Sequence, residues 1–343
     1  MTNADFAEIL NGFADPAFIL GNDRKVVAAN TTAHRIFGHV ISGVDFVRIM
    51  RQPEVLHLID QCRNGEARVE DVLTLDSSLR GVFRVQVTRL SSGGVVLSFT
   101  DLSDIQIATK MRSDFVANVS HELRSPLTAL SGFIETLQGP ARDDQNAQQR
   151  FLELMAMEAG RMDRLIADLM SLSKVEIDAR VRPRDKVDII AVIKRVLATL
   201  GQAMEKSNVD IQVVLPTTPV MVTGDDDQLT QVFRNLIENA VKYGGENQTV
   251  IVTARTLASA PGMASQTLSV AIRDKGPGIA PEHLPRLTER FYRVDTGRSR
   301  DKGGTGLGLA IVKHIVQRHR GRLLIDSVLG EGSTFTVLLP AQT

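Results

Sequence analysis

The stretch from residue 104 to about 178 constrains the fold most, because apolar alternation stops there and spacing by three and four takes over. Phe115, Val119, Leu123, Leu130, Ile134 and Leu137 fall on one helical stripe. Leu152, Met155, Met162, Leu165, Leu169 and Leu172 fall on a second, and the segment GPARDD breaks the two apart. A short connection between two long amphipathic helices makes a helical hairpin. Two helices alone cannot bury two stripes, so pairing with a second copy in a four-helix bundle is the economical arrangement, and a homodimer is expected.

The flanks read differently. Before residue 104, two short apolar runs surround the turn Gly21-Asn22-Asp23, a hairpin signal. TTAHRIFG is a short helix closed by Gly38, GVFRVQVTRL alternates Phe83, Val85 and Val87 against polar neighbours, and a last strand follows Gly93-Gly94. This is a small α/β module of a sensing or dimerising kind. After residue 180, helices near 188–205 and 226–243 alternate with strands near 210–215, 249–256, 267–273, 322–327 and 333–339, the last two joined as a hairpin across VLGEGS. The expected divisions are therefore 1–103, 104–179 and 180–343.

Composition excludes several classes. Lys+Arg and Asp+Glu both number 40, so no basic field points to nucleic acid. A single cysteine, Cys62, rules out an internal disulfide and fits a reducing compartment. No apolar run is long enough for a membrane span, and the acidic opening residues Asp5, Glu8 and Asp15 do not form a secretory signal. The chain as given is expected to be cytoplasmic. If a membrane segment precedes Met1, it would lie on the cytoplasmic face of the inner membrane.

The histidine of the first helix is the chemical centre of the hairpin. On a helical wheel the apolar stripe lies about 180° from His121, so the imidazole faces solvent. Ser125 lies about 40° from it on the same face, and Glu122 stands beside it at about 100°. Pro126 lacks an N–H, so the helix is expected to bend there. Taken alone, the His-Glu pair reads as a nucleophile, a metal ligand or a solvated surface pair. A zinc site is poorly supported, since no second His or Cys stands at the i+4 position.

Three features of the last third suit a nucleotide. In QLTQVFRNLIENAVKYG, Leu229, Val232, Phe233, Leu236 and Ala240 face inward, while Asn235, Asn239 and Lys242 share another face. Amide oxygens suit Mg²⁺, and a lysine there suits phosphate. A strand ends in Asp274, whose carboxylate can accept from an adenine amine, and Gly276 and Gly278 allow the backbone to approach the base. Gly303, Gly304, Gly306 and Gly308 open a helix, where bare N–H groups bind phosphate. It is not a Walker A loop, and each glycine run alone reads equally well as a turn. The charged stretch RFYRVDTGRSRDKGGT between them has the composition of a mobile lid.

The ordered set SHELRSP, NLIENAVKY, DKGPGI, RFYR and GGTGLGLAIV resembles the sensor histidine kinases of two-component systems, most of all those of the phosphate regulon. The resemblance implies a multidomain α+β protein. It would comprise a PAS-like α/β domain, a dimeric four-helix-bundle hairpin and a Bergerat-type α/β-sandwich ATP-binding domain. It further implies that ATP phosphorylates His121, with Glu122 accepting the imidazole proton. Asn239 would ligate Mg²⁺ with Asn235 nearby, and Lys242 and Tyr243 would line the nucleotide. Asp274, Gly276 and Gly278 would meet the adenine. Gly304, Gly306, Leu307 and Gly308 would meet the phosphates, and Arg293 the γ-phosphate. The phosphoryl group would pass to an aspartate on the receiver domain of a response regulator. Ser125 stands where the family often has threonine and would support dephosphorylation of that regulator. A catalytically silent scaffold is opposed by the intact His121, Glu122, Asn239 and glycine box. A chaperone or mismatch-repair ATPase with this nucleotide fold would lack the histidine hairpin.

Overall fold

A buried asparagine shows how the N-terminal part holds its shape. In the computed structural model, Asn30 caps the second helix by accepting from Ala33 N, and the same oxygen accepts from Ala17 N. Its amide donates to Phe13 O and Asp15 O, so one side chain ties a strand start, a loop and a helix together. The structure describes the chain apart from residues 1–2, 39–40, 77–78, 178–181, 208, 245–248, 261, 264–265, 295–303 and 342–343. The chain forms two compact units, residues 1–117 and 118–343.

The first unit runs α1 (Asn3–Leu10), β1 (Ala17–Leu20), β2 (Val26–Ala29), α2 (Thr31–Phe37), α3 (Phe46–Ile49), α4 (Pro53–Arg63), β3 (Arg68–Asp76), β4 (Arg80–Arg89) and β5 (Val95–Asp101). One antiparallel sheet takes the order β2-β1-β5-β4-β3. The hairpin at Gly21 and the helix closed at Gly38 form as expected. The alternation in β4 also resolves as read, with Phe83, Val85 and Val87 buried. Phe18 meets Phe46 and Phe99 edge-on at 5.4 and 6.1 Å between ring centres, the geometry aromatic quadrupoles favour.

Helix α5 (Ser103–Gln138) continues through Pro126, whose side chain is buried. In the second unit α5 is followed by α6 (Gln145–Ile177), β6 (Lys186–Asp188), α7 (Ile189–Ser207), β7 (Asp210–Val214), β8 (Met221–Thr223), α8 (Asp226–Tyr243), β9 (Thr249–Leu257), β10 (Thr267–Arg273), α9 (Gly308–Arg318), β11 (Arg322–Val328) and β12 (Gly332–Pro340). The sheet order is β11-β12-β10-β9-β7, antiparallel except for the parallel pair β7 and β9. Leu229, Val232, Phe233, Leu236 and Ala240 of α8 are buried, as their spacing required. With Ile311, Val312 and Ile315 of α9 and Val250, Val270 and Val337 of the sheet, they form an apolar core. Each Val, Leu, Ile or Phe among them contributes about 1.5–3 kcal/mol on full burial.

The apolar side chains of the hairpin are covered only in part. Leu165, Leu172 and Val175 are buried, while Val116, Leu127, Ile134, Leu152, Met157, Ile166 and Met170 stay 42–69% exposed in the single chain. No helix among the described residues is long and apolar enough to cross a membrane.

Candidate active site

The side chains expected to carry the chemistry fall in two groups, one on the hairpin and one on the sandwich. On α5, His121 and Ser125 are both exposed, as the helical phase required. Glu122 turns away from solvent. Its Oε2 lies 3.0 Å from Arg161 Nη2 on α6 and 3.7 Å from Arg293 Nη1. Arg161 also reaches Glu158 at 3.8 Å. Arg293, expected at the γ-phosphate, is thus found beside the carboxylate next to His121.

On the sandwich, α8 presents the polar residues. Asp225 caps it by accepting from Gln228 N, and its buried face fixes the rotation that leaves Asn235, Asn239 and Lys242 half-buried together. Asn235 Nδ2 donates to Gly308 O at 3.3 Å, joining α8 to the first residue of α9. Lys242 pairs with Glu238 at 3.8 Å, and Tyr243 is 38% exposed. Asp274 follows β10 and is buried; its Oδ1 accepts from Gly276 N at 2.9 Å and Ser333 N at 3.2 Å. Burial pushes its carboxyl above the usual range, against the lowering effect of those two bonds.

The glycines earn their places by closeness and dihedral. Gly278 has φ +70°, and a Cβ there would sit 2.0 Å from Val328 O. Gly306 has φ +73° and accepts from Phe291 N at 2.8 Å; a Cβ would meet the Phe291 backbone at 2.9 Å. Both lie in the left-handed region where side chains are strained. The glycine run does open a helix, which starts at Gly308, and Gly304 is half-buried before it. Leu307 has its side chain fully buried and donates its N–H to Thr305 Oγ1, so only its backbone borders the loop. Gly303 and most of the lid stretch lie outside the described residues.

No cluster of three His, Cys, Asp or Glu side chains suited to a metal occurs among the described residues. A magnesium ion at α8 would therefore draw on amide and phosphate oxygens, a donor set that fits this hard cation.

Residues 111–177 match the His Kinase A (phospho-acceptor) domain, and residues 224–343 match the histidine kinase-, DNA gyrase B- and HSP90-like ATPase family. The chain is 36% identical over 338 residues to the phosphate regulon sensor protein PhoR of Pseudomonas aeruginosa, covering 96% of this chain and 72% of that protein. The chain belongs to the sensor histidine kinases. The kinase is also 32% identical to the sensor protein kinase WalK of Staphylococcus saprophyticus, over 94% of its own length and 53% of that protein's. It thus spans about half the length of that relative. The fold of histidine kinase ThkA, solved in complex with response regulator protein TrrA, superposes with a TM-score of 0.55 at 19% identity over 98% of each chain.

Several polar contacts of the kinase escape sequence reasoning. Asp168 on α6 accepts from Thr305 Oγ1 at 2.6 Å, and burial raises its carboxyl above the usual range. Ser171 donates to Gln231 of α8 at 2.7 Å, and Glu176 pairs with Arg290 and lies 3.8 Å from His314. One signal was available: Asp168 interrupts the apolar stripe between Leu165 and Leu172. An acid in that phase calls for a partner.

Proposed function

We propose that the kinase uses ATP to phosphorylate its own His121 and passes the phosphoryl group to an aspartate of a response regulator receiver domain. The observation that carries this reading is the exposed His121 flanked by a carboxylate that two arginines hold. A ring nitrogen attacks the γ-phosphorus, the bond to the bridging oxygen breaks, ADP leaves, and Glu122 accepts the imidazole proton. Asn239, with Asn235 beside it, would hold Mg²⁺, which would supply charge neutralisation for the phosphate groups. Lys242 and Tyr243 line the nucleotide, Asp274, Gly276 and Gly278 meet the adenine, and the backbone of Gly304, Gly306, Leu307 and Gly308 meets the phosphates. The exposed apolar residues of α5 and α6 support a homodimeric four-helix bundle. Residues 1–103 act as a PAS-like module, 104–179 as the phosphoacceptor hairpin and 180–343 as the ATP-binding domain. The free, buried Cys62 suits a cytoplasmic setting.

The test is incubation with γ-labelled ATP and Mg²⁺. Acid-labile, base-stable label is expected on the wild type and none on His121→Ala, with ATP affinity kept. Stable label on the variant refutes the assignment.

A further inference from the structure

We infer that Arg161 is a positioning residue for the Glu122 base. The inference rests on the reading of His121 as nucleophile and Glu122 as its proton acceptor. Arg161 and Glu122 lie 39 positions apart on opposite helices of the hairpin, yet their side chains meet at 3.0 Å with only 13% and 20% exposure. Such a pair is largely withdrawn from screening water, unlike an ordinary surface ion pair. The guanidinium donates through Nη2 to Glu122, and its Nη1 lies 3.8 Å from Glu158 Oε2, an ion-pair distance beyond hydrogen-bond reach.

The contact has a direction that suits the base. The shortest approach of each arginine falls on Oε2, which leaves Oε1 as the oxygen to meet the imidazole. The two arginines are not equivalent. Arg293 belongs to the segment read as a γ-phosphate ligand, so engaging ATP would draw it off Glu122. Arg161 sits on the phosphoacceptor hairpin itself and would keep its hold through the transfer.

The test follows autophosphorylation of the full chain across Mg·ATP concentrations, for wild type, Arg161→Ala, Arg161→Lys, Glu122→Gln and the double variant Glu122→Gln/Arg161→Ala. Circular dichroism and solution mass check that each is folded and of wild-type oligomeric state. Arg161→Ala is expected to lower kcat roughly 10- to 100-fold with KM for ATP unchanged, the scale of a misplaced catalytic group. Arg161→Lys, with charge but no fork, should recover part of the loss. Once residue 122 is Gln, removing Arg161 should cost less than about twofold further, because it acts through that carboxylate. Losses that multiply in the double variant, or a folded Arg161→Ala with wild-type kcat, overturn the inference and leave His121 standing. Label that survives His121→Ala overturns the underlying reading and this inference with it. If Arg161→Ala does not fold, the same cycle is run with Arg161→Lys.

Discussion

Replacing Asp274 by Asn should separate nucleotide affinity from fold stability. In the folded protein Oδ1 already accepts from Gly276 N and Ser333 N, and an Asn side chain keeps that acceptor in place. What changes is the second oxygen, which becomes an amide NH₂ facing the adenine amine. A hydrogen bond to a charged group contributes about 1.5–3 kcal/mol, and two opposed donors left unpaired cost about 1–3 kcal/mol. A combined loss of about 3 kcal/mol corresponds to roughly a hundredfold weaker ATP binding. Stability should move the other way. Burial raises the Asp274 carboxyl, so the native state holds its proton more tightly than the unfolded chain. Stability from this group is then highest below the ordinary aspartate value of 3.8 and falls as pH rises through the raised native value. Asn has no such loss, so the variant's advantage should grow across that window and stay constant above it. Calorimetric titration with ATP and thermal melts across pH read the two effects. Wild-type affinity in the variant refutes the adenine contact. Weak binding with a lowered Tm would instead trace the loss to misfolding.

Asn239→Ala should lose Mg²⁺-dependent nucleotide binding, with Asn235→Ala losing less; equal Mg·ATP affinity in both and in wild type would move the metal elsewhere. Ser125→Ala should keep its autophosphorylation rate and slow dephosphorylation of the phosphorylated regulator, read by loss of label from the purified partner; unchanged rates remove Ser125 from that step. His319 accepts from Asp225 N at 2.9 Å and donates to Ile315 O at 2.8 Å, and burial lowers its pKa below 6.5. The unfolded chain therefore takes up the proton first, so this contribution is complete above pH 6.5 and is lost as pH falls through the native value. His319→Gln should flatten the acid fall in Tm, and parallel wild-type and variant curves would contradict the neutral-imidazole bond.

Legibility followed locality. Helix α8 could be read because its apolar spacing and its asparagine face lie within one short segment. The phase of His121 against Leu123 and Leu130 likewise needed only the helical period. Four elements of the first unit, α1, α3, α4 and β3, do not figure in the expected set. Helix α4 buries Val55, Leu58, Ile59 and Cys62 and begins with Pro53, so its pattern was present but short. Strand β3 is a sheet edge with mostly exposed residues, and its charges Glu70 and Asp71 obscure the alternation. The polar contacts were harder still. Glu122 with Arg161, and Asp168 with Thr305, join positions 39 and 137 apart, where no spacing rule operates.

The exposed apolar residues of α5 and α6 carry a further consequence. If a second copy covers them, the native bundle is a product of mass action, and the stability of the hairpin depends on the kinase's own abundance. Each tenfold dilution then removes about 1.4 kcal/mol of association free energy. Expression level becomes a variable of the signalling circuit, since a scarce kinase would titrate toward separated chains before any stimulus reaches it.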